Sequence, residues 1–215
     1  MSPESLTSPS LSSKEYIHGP GGRVIATEER LLFSDVPETG DFYDDIYRIA
    51  ARGVTLGCAS NPPKFCPDDT VTRDQMAAFI MRALGEFSPP TPATQRFADV
   101  PPSNVFYKFI DRLAVLGITL GCPGSPPVYC PGDPVLHQEM AAFIMRARGE
   151  FNPPTPPTQR FNDVPPSNGF YNFIERMGYF DIWNGQGCAG TNNYCPTAPV
   201  TRRQMAHILV RAFGI

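Results

Sequence analysis

A unit of about 64 residues occurs three times in this chain, and no other feature constrains the fold as strongly. The copies open on Phe33, Phe97 and Phe161, and each carries a pair of cysteines near its middle. Repetition at such a period is typical of arrays in which neighbouring copies of one small unit bury a shared core. We therefore expect the function to lie on surfaces that the copies build together rather than in one catalytic centre.

The composition narrows the class of protein and of partner. The 215 residues are 41% hydrophobic, which is enough to bury a core. The formal net charge is -3 and the chain has no long basic run, so we expect no nucleic acid as a partner. The longest apolar stretches, such as residues 76–81 and 140–145, are far shorter than the roughly 20 residues of a membrane span, so no membrane span is expected.

Six cysteines form three local pairs, one in each copy. The pairs are Cys58 with Cys66, Cys122 with Cys130, and Cys188 with Cys195. Because the same pair recurs, a bridge within each copy is favoured among the fifteen connectivities that six cysteines allow. Structural zinc is the alternative, but zinc prefers gaps of two to four residues, whereas seven or six residues separate these cysteines and no histidine recurs beside them. We expect no metal, and disulfides indicate an oxidising compartment.

The N-terminal segment, residues 1–32, shares no motif with the copies. Residues 1–13 are polar and rich in serine and proline, and they lack the charged start and apolar stretch of a secretory signal. Since disulfides indicate export, we expect the chain to be the C-terminal part of a larger exported protein; reduced thiols are the alternative. Residues 15–27 have the pattern of a strand, a turn and a strand, which predicts a short hairpin.

Within each copy the hydrophobic periodicity predicts two helices. In the second copy Phe106, Ile110 and Leu113 recur at helical spacing, and Gly117 ends the first helix. The following loop is rich in Gly, Pro and Asp, which favours turns, and the cysteine pair would hold it. The second helix would begin at a capping box in the first and third copies. The two boxes are Thr72 with Gln75 and Thr201 with Gln204.

The copies and the segments between them define the predicted domain organisation. The copies span residues 33–85, 97–149 and 161–215. Pro-rich linkers at 86–96 and 150–160 are predicted to run as stiff polyproline segments that set the angle between copies. The predicted fold class is therefore mostly α, with three tandem helix-loop-helix repeats.

The order of motifs in a copy resembles the S-layer homology repeat. Each copy has F-x-D-V, then an aromatic-rich helix that exits through L-G-I-T-x-G in the second copy, then an aromatic-Cys-Pro turn. In the first copy V-T-R-x-Q-M-A-x-F-I-x-R-A follows. The resemblance covers residues 33–214 and implies a pseudo-threefold prism around a central three-helix bundle. Members of this family hold exported proteins to cell-envelope polysaccharide in grooves between adjacent repeats. Residues 15–27 also resemble a tyrosine-bearing turn of Rhs/YD-repeat proteins.

The resemblance implies a glycan-binding residue at the start of the second helix of each copy. The arginine of the family motif corresponds to Arg73 and Arg202. A guanidinium at a helix start suits an acidic sugar, because it can make a bidentate contact with a carboxylate. In the second copy His137 takes this place, so that position would be lost or would bind only when the imidazole is protonated. The glutamate of the motif is kept only as Glu139.

These residues also have structural interpretations. For Arg73 and Arg202 the alternative is a solvated residue at a helix start. Trp183 is predicted to fill the core, with a modified groove as the alternative, and His207 is predicted to be packed or peripheral. Each opening motif also contains an aspartate that is predicted to hold a turn rather than a ligand. These are Asp35, Asp99 and Asp163.

No motif of an enzyme is present. The chain lacks a G-x-S-x-G elbow, a phosphate-cradling glycine loop and H-E-x-x-H, so we expect neither catalysis nor a cofactor. The expected function is a module that anchors a larger protein at the cell surface by binding an acidic cell-envelope polysaccharide. The alternative is a structural or protein-interaction module whose grooves no longer bind glycan.

Overall fold

The computed structural model describes the backbone of residues 13–18 and 24–30 and all of residues 33–215. Two strands, β1 (Ser13–His18) and β2 (Val24–Arg30), pair antiparallel. Residues 19–23, which include the predicted turn, and the Ser/Pro-rich residues 1–12 lie outside the described residues.

From residue 33 onward the fold is mostly helical, which confirms the predicted class. Each copy contributes a short first helix and a longer second helix. The helices are α1 (Tyr43–Ala51) and α2 (Arg73–Ala83) in the first copy, α3 (Tyr107–Val115) and α4 (His137–Ala147) in the second, and α5 (Tyr171–Tyr179) and α6 (Arg202–Phe213) in the third. A minimal hairpin of β3 (Ala59–Ser60) and β4 (Pro63–Lys64) lies in the first loop. None of the helices in the described part of the chain has the length and apolar character needed to span a bilayer.

The first helix of each copy ends where the backbone becomes left-handed. Gly53 and Gly117 have φ values of 69° and 71°, which a glycine adopts without strain. The third copy has no glycine at this point, and Asp181 takes a φ of 54° instead. Its backbone N–H still donates to the carbonyl of Gly178, so the helix ends in the same way.

The second helices lie deepest in the protein. The methionine after each helix start is fully buried, and the next residue is a fully buried alanine in every copy. These methionines are Met76, Met140 and Met205. Small alanines let neighbouring backbones approach closely. The buried residues of all three copies form one continuous hydrophobic core.

Helices pack between copies rather than mainly within them. Helix α2 packs against α3, α4 packs against α5, and α6 returns to pack against α1. The second helix of a copy therefore covers the first helix of the next copy, and the last helix covers the first.

A closed ring of three backbone hydrogen bonds joins the copies just before their second helices. The N–H of Val71 donates to the carbonyl of Val200 at 2.9 Å, Val200 donates to Val135 at 2.8 Å, and Val135 donates to Val71 at 2.9 Å. All three valines are fully buried. Each copy is thus bonded to both of the others at one level of the core.

The linkers are tied to the helices that follow them. Glu86 makes two hydrogen bonds of 2.7 Å with Arg112 on α3, and Glu150 makes two of 2.8 Å with Arg176 on α5. The guanidinium of Arg112 lowers the pKa of Glu86 below its ordinary value. Two-pronged pairs of this kind fix an orientation as well as a distance.

One capping prediction is confirmed and the other is wrong. Thr201 accepts a hydrogen bond from the N–H of Gln204, whose side chain accepts from the N–H of Thr201 at 2.9 Å. The hydroxyl of Thr72 instead donates to Asp74, and that carboxylate accepts from the N–H of Gln75 at 2.7 Å. Asp74 thus replaces the threonine hydroxyl as the acceptor of the Gln75 N–H, because a carboxylate is the stronger acceptor.

Each cysteine pair is a disulfide that closes the loop between the two helices. The pairs are Cys58–Cys66, Cys122–Cys130 and Cys188–Cys195, with Cα atoms 6.1, 6.2 and 5.9 Å apart. The aromatic residue before the second cysteine points into the core, and its side chain is fully buried in every copy. These aromatics are Phe65, Tyr129 and Tyr194.

An aspartate holds the same loop from the start of each copy. In the second copy the carboxylate of Asp99 accepts from the N–H groups of Tyr129 and Cys130 at 2.8 and 2.7 Å. Asp35 and Asp163 make the same two contacts in their own copies. The aspartates of the opening motif therefore hold the disulfide loop of their own copy. In the second copy the two contacts span 30 and 31 positions along the chain.

Replacing Asp99 by alanine is expected to lower the free energy of unfolding by about 3 kcal/mol. The variant loses two charge-assisted hydrogen bonds, and it leaves the amide of the fully buried Tyr129 without its acceptor. Urea denaturation followed by circular dichroism measures the change. The matched control is Asp41→Ala, an exposed aspartate before α1, which should change stability by no more than about 0.5 kcal/mol. Equal stabilities for the two variants would contradict the role given to Asp99.

Candidate functional site

The three predicted glycan-binding residues occupy equivalent places, at the first residue of α2, α4 and α6. All three are buried: Arg73 is 4% exposed, His137 is 3% and Arg202 is 6%. Each side chain reaches into the disulfide loop of another copy. The alternative of a solvated residue at a helix start is therefore wrong for both arginines.

Arg73 is fully engaged by the second copy. Its Nε donates to the carbonyl of Tyr129 at 2.9 Å, and its Nη1 lies 3.1 Å from a carboxylate oxygen of Glu139. The guanidinium carbon is 5.1 Å from the ring centre of Tyr129 and 5.4 Å from that of Phe143. The charge of Arg73 is thus paired within the protein and flanked by two aromatic rings.

Arg202 has the same surroundings in the first copy, except that its charge has no carboxylate beside it. Its Nε donates to the carbonyl of Phe65 at 2.7 Å, and its guanidinium lies over the rings of Phe65 and Phe79 at 4.8 and 5.4 Å. Gln75 stands where the other site has Glu139. Among residues 33–215, neither Nη2 of Arg202 nor Oε1 of Gln75 has a hydrogen-bond partner, although both atoms are buried.

Burial also disfavours the positive charge of Arg202. Desolvation lowers the pKa of its guanidinium, and Asp69 and Asp35 offset part of that effect from a distance. A buried cation without a hydrogen-bonded counter-ion is unfavourable, and an anionic or strongly polar ligand would relieve it.

Both arginines lie at the floor of a groove between two copies. The Arg202 groove has a volume of about 520 Å3, and the Arg73 groove has a volume of about 220 Å3. The Arg202 groove is lined by Thr55, Leu56, Gln75, Arg82, Val105 and Phe106, among others. The equivalent residues that line the Arg73 groove are Thr119, Leu120, Glu139, Arg146 and Phe170. Gly169, which is equivalent to Val105, does not line it.

Each groove has a second arginine on its wall. Arg82, which lines the Arg202 groove, lies over the ring of Phe109, and Arg146, which lines the Arg73 groove, lies over the ring of Phe173, each at 5.1 Å. Burial lowers the pKa of both guanidinium groups. The described lining of the Arg202 groove contains no acidic residue, whereas that of the Arg73 groove contains Glu139.

The mouths of the two grooves carry exposed apolar side chains. Leu56 and Val105, at the Arg202 groove, are 44% and 82% exposed, and Leu120, at the Arg73 groove, is 78% exposed. A groove with an apolar mouth and a cationic floor can take a molecule that has an apolar face and an anionic group.

The position of His137 differs from the other two because aromatic rings fill it. Nδ1 of His137 lies 3.0 Å from the carbonyl oxygen of Cys195, and Nε2 lies 3.2 Å from Oε1 of Gln204. Trp183, fully buried, stands where the other copies have Thr55 and Thr119, and its ring centre is 5.4 Å from that of His137.

His207 completes this filling and agrees with its predicted packed role. It lies where the other copies have alanine, stacks on Phe42 at 4.6 Å and places Nδ1 2.7 Å from a carboxylate oxygen of Asp45. The prediction that Trp183 fills the core is confirmed, since its side chain is fully buried.

Sequence reasoning missed the two wall arginines, Arg82 and Arg146, and the mouth residue Val105. The arginines could be found by aligning the copies, since Arg82, Arg146 and Arg211 recur at one position. Val105 gave no such signal, because glycine replaces it in the third copy.

Comparison with known proteins agrees with the motif analysis. Residues 32–77 match the S-layer homology domain, which confirms the resemblance for this stretch. A protein of Thermoanaerobacter kivui described as "Cell surface protein" is 29% identical over 120 residues, which is 54% of this chain and 15% of that relative. The chain thus corresponds to a small part of the length of the relative.

Proposed function

We propose that this chain is a cell-surface anchoring module that binds a cell-envelope polysaccharide non-covalently, in grooves between adjacent copies. The observation that carries the proposal is the Arg202 groove. It is large enough for a sugar unit, and its floor presents a buried guanidinium N–H without a partner among the described residues. The match of residues 32–77 to the S-layer homology domain supports a location at the cell surface and a role in binding rather than catalysis.

The proposed arrangement is a pseudo-threefold prism around a central bundle of α2, α4 and α6. The cyclic packing of α2 on α3, α4 on α5 and α6 on α1 supports it, as does the ring of hydrogen bonds through the three valines. In this arrangement every groove lies between two copies, which agrees with an arginine from one copy and walls from others.

The polysaccharide is proposed to be acidic, and the anchored cargo is proposed to be the rest of a larger exported protein. Two arginines and no described acidic residue line the Arg202 groove, which favours a negatively charged ligand. The three disulfides support export to an oxidising compartment.

A second candidate is a structural module in which the grooves no longer bind sugar. Two observations favour it: Glu139 already pairs with Arg73, and Trp183 fills the position of His137. The intact Arg202 groove is the reason for preferring the anchoring role.

Replacing Val105 by aspartate is expected to reduce retention on purified cell walls at least about tenfold, which corresponds to roughly 1.4 kcal/mol. Val105 is 82% exposed at the mouth of the Arg202 groove, so the added carboxylate would repel an acidic polysaccharide without disturbing the core. Co-sedimentation of the protein with the walls measures the bound fraction.

Two further variants serve as controls. Val105→Lys places a cation at the same mouth and should keep or increase retention. Val115→Asp adds the same charge at another exposed valine, 53% exposed and outside the lining of the grooves described above, and should leave retention unchanged. Absence of retention of the unmodified chain, or equal retention of Val105→Asp, would refute the proposed binding.

A further inference from the structure

We infer that Glu139 acts as an internal competitor that closes the Arg73 groove to anions, so that among the three equivalent positions only the Arg202 groove binds an anionic group. This inference rests on the proposed function and names the residue, Glu139 or Gln75, that decides which groove accepts an acidic glycan.

The side chains of the two arginines differ in one hydrogen-bonding partner. Each donates its Nε to a carbonyl of the aromatic before the second cysteine, at 2.9 Å for Arg73 and 2.7 Å for Arg202. Each guanidinium lies over the ring of that aromatic, at 5.1 and 4.8 Å. The remaining difference is at one equivalent position of the second helix. This position is Glu139 in the Arg73 groove and Gln75 in the Arg202 groove.

Glu139 is held in place by two contacts. One carboxylate oxygen lies 3.1 Å from Nη1 of Arg73, and the other accepts from the N–H of Leu136 at 3.0 Å. An anion that enters the Arg73 groove would have to displace this carboxylate, which would leave Glu139 without its cation and repel the incoming charge.

The Arg202 groove has no such competitor. Nη2 of Arg202 and Oε1 of Gln75 are buried and have no hydrogen-bond partner within the described residues, and Arg202 as a whole is 6% exposed. An anionic oxygen bound there would gain a charge-assisted hydrogen bond without breaking one. A ligand in the Arg202 groove can therefore supply the anionic oxygen that Glu139 supplies in the Arg73 groove.

The dimensions of the grooves point in the same direction. The Arg202 groove, at about 520 Å3, lies within the range of roughly 300 to 1,000 Å3 that is typical of small-molecule sites, whereas the Arg73 groove, at about 220 Å3, lies below it. At the third position Trp183 fills the space beside His137, and both ring nitrogens of His137 already contact oxygen atoms. The cavity of about 480 Å3 near Phe42 and His207 is not lined by His137, and it carries the carboxylates of Glu38, Asp44 and Asp45. The ligand class assigned to the Arg202 groove is a sugar that carries a carboxylate or a phosphate.

A reciprocal pair of variants tests the inference in the full chain. Gln75→Glu should place a carboxylate beside Arg202, and Glu139→Gln should remove the one beside Arg73. The chain already accommodates each arrangement in the other groove, so both variants are expected to fold. Titration with sodium glucuronate and with glucose 6-phosphate, followed by the NMR signals of the arginine Nε–H groups, reports on the two grooves separately and separates carboxylate from phosphate; glucose is the neutral control.

The expected result is a response of Arg202 alone in the unmodified chain and no response to glucose. Gln75→Glu should weaken acid binding at least about tenfold. Glu139→Gln should add a response at Arg73. In the absence of sugar, Gln75→Glu should raise the thermal midpoint and Glu139→Gln should lower it, because one variant gains an ion pair and the other loses one.

Several outcomes would overturn the inference. These are a response at Arg73 in the unmodified chain, undiminished binding by Gln75→Glu, or no response of Arg202 to either acidic sugar. Failure of this inference can be distinguished from failure of the proposed function. A chain that is not retained on cell walls but shows these arginine responses keeps the inference, whereas a chain that is retained without them keeps only the proposed anchoring.

Discussion

Reduction of the three disulfides is expected to lower the free energy of unfolding by about 7.5 kcal/mol, if their contributions add. Each bridge joins cysteines only 8, 8 or 7 positions apart. In the chain-entropy model a loop of this length stabilises the folded protein by about 2.5 kcal/mol, because it restricts the unfolded chain. The sum is comparable with the whole stability of an ordinary domain, about 5 to 15 kcal/mol. Urea denaturation with and without reductant measures the difference.

One bridge can be removed alone as a calibration. The double variant Cys122→Ser with Cys130→Ser should show about a third of the full effect. Because the summed loss is comparable with the whole stability of an ordinary domain, the reduced protein is expected to unfold at a much lower urea concentration, although the aspartate contacts to the same loops remain. An unchanged denaturation midpoint after complete reduction, verified by thiol titration, would contradict the stabilising role of the bridges.

Replacing Trp183 by alanine is expected to lower the free energy of unfolding by about 3 to 5 kcal/mol. The side chain is fully buried and packs beside His137 and His207, with ring centres 5.4 and 6.2 Å away. Removal of the indole leaves a cavity that the surrounding rings can fill only in part. Circular dichroism during urea denaturation measures the loss, since Trp183 is the only tryptophan available for fluorescence.

Phenylalanine at the same position separates packing from polarity. The indole N–H has no hydrogen-bond partner among residues 33–215, so Trp183→Phe removes an unsatisfied polar group and should cost clearly less than alanine. Tyr179→Ala removes an aromatic side chain that is 67% exposed and should cost less than about 1 kcal/mol. A loss for Trp183→Ala no larger than that for Tyr179→Ala would show that the third position is not filled as described.

Much of the fold follows from local patterns in the sequence. The apolar spacing of Ile110 and Leu113 predicts α3, and Gly117 predicts where it ends, because these signals depend only on neighbours along the chain. The capping box at Thr72 could not be judged in the same way. Its outcome depends on whether the Gln75 N–H donates to the threonine hydroxyl or to the carboxylate of Asp74, and the capping pattern does not include Asp74.

The sequence indicates which residues form the candidate site, but not their burial or their contacts with other copies. The helix-start motif indicates that Arg73 and Arg202 matter, yet it does not show that both are buried, because another copy supplies the loop that covers them. The difference between Glu139 and Gln75 is visible in the sequence. Its consequence is not, since the distance from each side chain to the arginine of another copy is a property of the tertiary structure.

The ring through Val71, Val200 and Val135 makes the three copies depend on one another. An open array of repeats can lose or gain a unit at either end, because each unit depends only on its neighbours. Here every valine uses its N–H toward one copy and its carbonyl toward the other, so no copy is an end. Deleting one copy would leave an unpaired amide and an unpaired carbonyl in the core. The three copies are therefore expected to depend on one another through their backbones, whatever side chains stand at the grooves.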